Sequence, residues 1–215
     1  MNMDVTYKVG RFIRGRSVND VWLRGLKLIM DYGLDVRDRR YTIREILNLA
    51  TRIEYPHDEY PSLRHQMLRE YEDQLLNPDN KGFIYTYGER LRRDVDQIQL
   101  IINKLKHNRT SKRGTATTWM PKVDLTSSES PCLIMVDFKL RNSILEMTSV
   151  FRSHDFYGAY PYNVHALSRL QDYVANELSV SSGGINILSV SAHIYERDLK
   201  DVECIIQGGD IRWRI

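Results

Sequence analysis

The chain has 215 residues, 42% hydrophobic and 27% charged, a balance that suits a folded core and excludes extensive disorder. Its formal charge of +3 comes from 31 Lys and Arg against 28 Asp and Glu, so a nucleic-acid partner is not called for and a small anion fits as well. No apolar run approaches the roughly 18 residues of a membrane span, charges interrupt every apolar stretch of Met1 to Arg16, and the two cysteines allow at most one bridge; a single cytoplasmic domain over residues 1–215, with free thiols and no membrane partner, is expected.

Val5 to Ile13 has the mixed apolar pattern of a short strand, and Ser17-Val18-Asn19-Asp20 introduces a helix with the stripe Trp22, Leu26, Ile29 and Met30. Asp31 to Arg40 reads as a polar loop whose Arg37, Arg39 and Arg40 are candidate anion contacts. Thr42 is expected to cap a helix containing Ile43, Ile46, Leu47 and Ala50, with Glu45 at capping-box spacing. Pro56 and Pro61 break the chain, Ser62 to Leu76 reads as a polar helix with the stripe Leu63, Met67, Tyr71 and Leu75, and Asn77 to Asn80 signals a turn.

Phe83 to Arg93 reads as an aromatic strand ending in a turn at Gly88. Asp94 is the expected cap of a helix whose stripe is Val95, Ile98, Ile101, Ile102 and Leu105. The basic run Lys106 to Arg113 is either a solvated turn or a phosphate contact. Thr115 to Trp119 reads as a strand and Pro121 to Pro131 as a Ser/Asp-rich loop.

Cys132 to Phe138 reads as a sheet-core strand, Lys139 to Asn142 as a turn, and Ser143 to Phe151 as a returning strand. A lone cysteine is usually a small buried hydrophobe, but here Arg152-Ser153-His154-Asp155 closes the second strand and gathers charge and hydroxyl at the same sheet edge. Asn163 stands before the helical stripe Val164, Leu167, Leu170, Val174 and Leu178, as an N-cap or as a pocket amide. Ile185 to Ile194 reads as a third strand with Leu188, Val190 and Ala192 on one face and His193 and Tyr195 on the other. His57, His65, His107 and His165 lack metal-ligand spacing with either cysteine, so no metal is expected.

Pro131-Cys132, Arg152-Ser153-x-Asp155, Pro161-x-Asn163 and His193-x-Tyr195, with Tyr87-Gly88, Lys112-Arg113 and Trp119, in this order resemble the signature of the thymidylate synthase family over about residues 83–198. The resemblance implies a three-layer α/β fold with a large mixed sheet, a homodimer with sheets packed back to back, and conversion of dUMP to dTMP. The co-substrate would be 5,10-methylene-tetrahydrofolate or a related methylene-pterin, which supplies methylene and hydride.

By the same resemblance Cys132 is the nucleophile that adds to C6 of the pyrimidine, Tyr87 assists proton removal at C5, and Glu45 helps activate base and cofactor. Arg152 and Ser153 hold the phosphate, joined by Lys112 and Arg113 from the other subunit. Asn163 reads the uracil edge, His193 and Tyr195 meet the deoxyribose hydroxyl, and Asp155 contacts the folate. The chemistry needs these types: C5 is a poor nucleophile until a thiolate adds at C6, and the developing charge on O4 needs donors. Arginines near Cys132 are expected to favour the thiolate. Leu133 stands where bacterial members have histidine and Asp137 where glutamine is common; the amino-terminal phosphate loop is missing, as in a short archaeal-type member. Two alternatives remain: a dCMP or dUMP hydroxymethylase, and a non-catalytic nucleotide- or RNA-binding homologue.

Overall fold

A computed structural model describes residues 10–38 and 41–211. Most of the expected first strand, with Arg39 and Arg40, lies outside them. The described part begins with β1 (Arg11–Gly15) and then α1 (Val18–Tyr32), where the Ser17 hydroxyl accepts from the Asp20 N–H at 3.2 Å as the cap. Val18, Val21, Trp22, Leu26 and Ile29 form the buried stripe, and the Trp22 indole donates to the Phe156 carbonyl at 2.8 Å, so this large ring is buried with its one donor satisfied. Gly25 is required at that contact, because a Cβ would stand 2.1 Å from the Phe156 ring.

Two expectations fail next. The polar segment after Tyr32 forms β2 (Leu34–Asp38), paired with β3 (Tyr41–Ile53), and the residues from Thr42 to Ala50 lie in that long strand rather than in a helix. The sequence misleads for an identifiable reason. Burial falls on Ile43, Ile46 and Leu49 before alternating at Thr51 and Ile53, and Asn48, with φ 57 inside the strand, breaks the alternation between Ile46 and Leu49. A spacing of three imitates a helical stripe, while the β-branched Thr and Ile favour the extended chain. Glu45 is therefore a strand residue and caps nothing.

The polar helix is α2 (His65–Leu76). Phe83 to Arg93 is not a strand: Thr86 caps a short helix, α3 (Tyr87–Arg92), accepting from the Glu89 N–H at 3.1 Å. Gly88 seats α3 directly on the backbone of Asn77, where a Cβ would be 2.2 Å from the carbonyl oxygen. Its glycine thus marks close approach rather than a turn. α4 (Gln97–His107) carries the expected stripe but is capped by Asp96 instead of Asp94, leaving Val95 exposed.

β4 (Thr115–Thr117), a four-residue α5 (Pro121–Asp124) within the expected loop, β5 (Leu133–Arg141) and β6 (Ile144–Phe151) follow. The β5–β6 turn is the two-residue Asn142-Ser143, both at positive φ (47 and 60), slightly later than the expected Lys139 to Asn142. A two-residue β7 (His154–Asp155), α6 (Tyr160–Leu178), β8 (Ser181–Tyr195) and α7 (Leu199–Ile206) complete the fold.

The strands form one mixed sheet in the order β1-β3-β8-β6-β5-β4, with β2 beside β3 and β7 beside β8. This is a mixed α/β fold on a large mixed sheet, as expected. α6 is buried along its length and ties itself to the sheet through Gln171, whose amide donates to the Leu145 carbonyl at 2.7 Å. Another face of the sheet stays open in the single chain: Ala50, Leu188 and Val150 stand in register across β3, β8 and β6, all half-buried, with Val190 exposed beyond them. Beside this row, Arg52 on β3 bonds Glu146 on β6 at 2.7 Å. No helix among the described residues is long and apolar enough to cross a membrane.

Candidate active site

The parallel pairing of β6 with β8, and of β7 with β8, brings the ends of these strands together: His154 stands opposite Ala192 and Asp155 opposite His193. β5 runs antiparallel to β6, so its start falls at the same end, with Leu133 opposite Phe151. Local sequence thus delivers Cys132, Ser153, Asp155, His193 and Tyr195 to one edge, where α6 adds Asn163 and α3 adds Tyr87. All seven line a single cavity of about 290 Å³. Ligands of open α/β sheets commonly sit at such carboxyl ends.

Cys132 is half-buried and free. Burial pushes its thiol up from the ordinary value, Arg152 pulls it down, and Glu129 and Asp155 add to the rise. Arg152 does favour the thiolate, as expected, but desolvation outweighs a single guanidinium. That guanidinium is also committed elsewhere. Arg152 donates from Nε to the Pro131 carbonyl at 2.9 Å and from Nη2 to the Ser130 carbonyl at 2.8 Å, bracing the loop that delivers Cys132. The Tyr85 hydroxyl donates to the same Ser130 carbonyl at 3.0 Å. Tyr87 accepts from the Leu133 N–H at 3.4 Å, directly beside the cysteine, and burial drives its phenol well above the usual range.

Asn163 lies in the first turn of α6, after the cap position at Ala159, so the N-cap reading falls. Its side chain is 8% exposed and its Nδ2 meets Nε2 of His154 at 3.2 Å. His154 is buried, stacked on Phe151 at 3.9 Å between ring centres, and its Nδ1 meets the Ser189 hydroxyl at 2.9 Å. Burial first, and His193 second, hold the imidazole down at about 3, so it is neutral at physiological pH.

Asp155 accepts from the N–H groups of Tyr157 at 3.1 Å and Gly158 at 2.9 Å, yet burial pushes it up to about 6. His193 and Tyr195 end β8 edge to face, 5.1 Å between ring centres, and Tyr195 also carries Arg197 at 4.7 Å from its ring.

Other candidates lie outside the lining. Glu45 sits opposite His193 in the β3–β8 ladder, where its carboxylate accepts from Ser191 Oγ at 2.6 Å. Lys112 and Arg113 are exposed before β4, and Arg37 is exposed on β2. Arg39 and Arg40 fall outside the described residues. Sequence reasoning missed two walls of the cavity, Tyr71 of α2 and Tyr85 before α3, and assigned no role to His154. The α2 stripe was visible, but its destination was not. No group of three or more metal-ligating side chains is gathered among the described residues.

Residues 31–209 match the family model described as thymidylate synthase. A protein of Methanococcoides burtonii, whose name gives thymidylate synthase as a provisional assignment, is 45% identical over 209 residues, covering 93% of this chain and 96% of that protein. A similarly named protein of Methanosarcina mazei is 43% identical, covering 96% and 99%. One from Methanocaldococcus jannaschii is 34% identical, covering 75% and 77%. With the match spanning every strand of the sheet but β1, α6 and every residue that lines the cavity, the chain belongs to the thymidylate synthase family.

Proposed function

We propose that the cavity binds dUMP and that the protein converts it to dTMP. The observation that carries this reading is the convergence of Cys132, Tyr87, Asn163, His193 and Tyr195, delivered by four separate segments of chain, on one cavity. Cys132 Sγ loses its proton and bonds to C6 of the uracil, which makes C5 nucleophilic; after carbon transfer and loss of the C5 proton, the C6–S bond breaks and the thiol is restored. Asn163 pairs with the base edge, Tyr87 takes part in proton removal at C5, and His193 and Tyr195 hold the sugar. Ser153 faces the phosphate, and Arg152 serves it with Nη1 while Nε and Nη2 brace the Pro131 and Ser130 carbonyls. Lys112 and Arg113 reach a neighbouring subunit's site, and Glu45 acts from β3 behind His193.

The aromatic walls Tyr71 and Tyr85, with Leu75 between α2 and the pocket, fit a flat pterin ring stacked over the nucleotide, and Asp155 offers it a carboxylate. A reduced folate or related methylene-pterin bound there supplies one carbon and a hydride. The open sheet row of Ala50, Val150, Leu188 and Val190 supports a back-to-back homodimer.

Tritium release from C5-labelled dUMP tests the chemistry. Release that depends on the pterin co-substrate and disappears in Cys132→Ser, with dUMP binding retained, is expected. Bound dUMP with no release in the unmodified protein would overturn catalysis and leave a nucleotide-binding homologue. Product carrying a hydroxymethyl group would instead identify the hydroxymethylase reaction.

A further inference from the structure

Asn163 poses a problem that its own chemistry does not solve. Rotating a carboxamide by half a turn exchanges oxygen for NH2 with almost no change of shape. One setting offers an acceptor where uracil has N3–H and a donor where it has O4. The opposite setting suits cytosine, whose N3 accepts and whose N4 donates. An amide free to turn would therefore accept either base.

In this chain the amide is not free. Nδ2 of Asn163 faces Nε2 of His154 at 3.2 Å, and an amide nitrogen has only hydrogens to offer, so Nε2 must present its lone pair. A neutral ring with Nε2 unprotonated carries its hydrogen on Nδ1, which meets the Ser189 hydroxyl at 2.9 Å. The ring itself cannot turn: it is buried, stacked on Phe151 and packed against Tyr160 at 5.1 Å. Ser189 is anchored in β8, opposite Leu49 of β3, and is fully buried. His154 and Ser189 thus link a rigid sheet position to the orientation of one amide in the cavity.

We infer that His154, buried and bonded to Ser189, is a positioning residue that holds the Asn163 amide and so sets the choice between a uracil and a cytosine nucleotide. The inference rests on the reading of the cavity as a dUMP site. It adds a specificity device on β7 and β8 that acts through the Asn163 amide. A charged imidazole would donate from both nitrogens and turn the amide over, which is why the site needs a ring buried deeply enough to stay neutral.

Binding of dUMP and dCMP to the purified protein, by calorimetry without pterin, tests this independently of turnover. His154→Phe keeps a ring stacked on Phe151 but removes the lock, and the dUMP:dCMP affinity ratio is expected to fall roughly tenfold or more, the usual scale of a lost bidentate base contact. Ser189→Ala, a smaller change, should lower the ratio in the same direction. Equal weakening of both nucleotides in both variants would mean a merely structural role and overturn the inference. Nitrogen-15 NMR of labelled histidine provides a second measurement on the unmodified protein: one neutral ring protonated at Nδ1 is expected, assigned through its proton contacts to the stacked Phe151 ring, and a ring protonated at Nε2 would refute the lock even if the variants failed to fold. If the unmodified protein binds neither nucleotide, the dUMP reading fails and the inference falls with it; if it binds dUMP with the ratio unmoved in the variants, only the inference fails.

Discussion

Replacing His154 with Phe and, separately, Asp155 with Asn should change the acid response of the fold in opposite directions. The buried imidazole is held down at about 3 against an ordinary value of 6.5, chiefly by desolvation and then by His193. Its unfolded form therefore binds a proton that the folded form refuses, and stability drains away as pH falls from 6.5 toward 3. The difference of 3.5 units, at about 1.36 kcal/mol each, amounts to about 5 kcal/mol. Asp155 does the reverse. Desolvation, with Asp198 adding to it, raises the carboxyl from 3.8 to about 6, so the folded chain takes up its proton first. Acidification from 6 to 3.8 then stabilises by about 3 kcal/mol, from 2.2 units on the same scale.

Between pH 6 and 4 the two slopes are equal and opposite, so wild type shows neither. Urea unfolding at half-unit pH steps, followed by the fluorescence of buried Trp22, reads the difference curves, in which the remaining titrating groups cancel. Relative to wild type, His154→Phe should improve steadily below pH 6.5, whereas Asp155→Asn should worsen below pH 6. If the His154→Phe and wild-type curves run parallel from pH 7 to pH 4, the claim that burial keeps this imidazole neutral is refuted.

Gly88→Ala would drive a Cβ to 2.2 Å from the Asn77 carbonyl oxygen and should cost about 1–3 kcal/mol while shifting Tyr87; an unchanged urea midpoint would contradict the close seat of α3. Asp124 accepts from Arg90 at 3.0 Å and from the Met120 N–H at 2.6 Å with its side chain wholly buried. Asp124→Ala should therefore cost about 3–5 kcal/mol, and the pair Arg90→Met with Asp124→Leu should recover much of it; no loss in the single variant would show that the ion pair is not formed. Iodoacetamide should modify exposed Cys204 before Cys132 at pH 8, because burial raises the Cys132 thiol, and Arg152→Met should slow Cys132 further; a Cys132 that reacts first would mean a thiolate at rest.

The helices α1, α4 and α6 were legible because their stripes are regular and each buries one face on a contiguous core. β3 was not, since its burial falls on every third residue from Ile43 to Leu49, with a left-handed Asn48 before the last of them. α3 was not either: a glycine inside an aromatic run is read as a turn, and only the nearness of Asn77 shows what its missing side chain permits. The candidate nucleophile and the residues around it could be picked out because their order along the chain resembles a family signature. That resemblance carried the residues but not their surroundings: Arg152 favours the thiolate as expected, while burial, the larger effect, pushes the thiol up.

The order of Cys132, Arg152, Asn163 and His193, through its resemblance to a family signature, was sufficient as sequence alone to indicate the class of fold and the family. These are properties of residue type and spacing, which a linear string records. What the His154 ring faces, where the Arg152 guanidinium is spent and which way burial pushes the Cys132 thiol were decided by tertiary structure. Each depends on how much water is excluded and on what stands within about 3 Å, as Ser189 and the Ser130 and Pro131 carbonyls do here, and segments distant in sequence supply both.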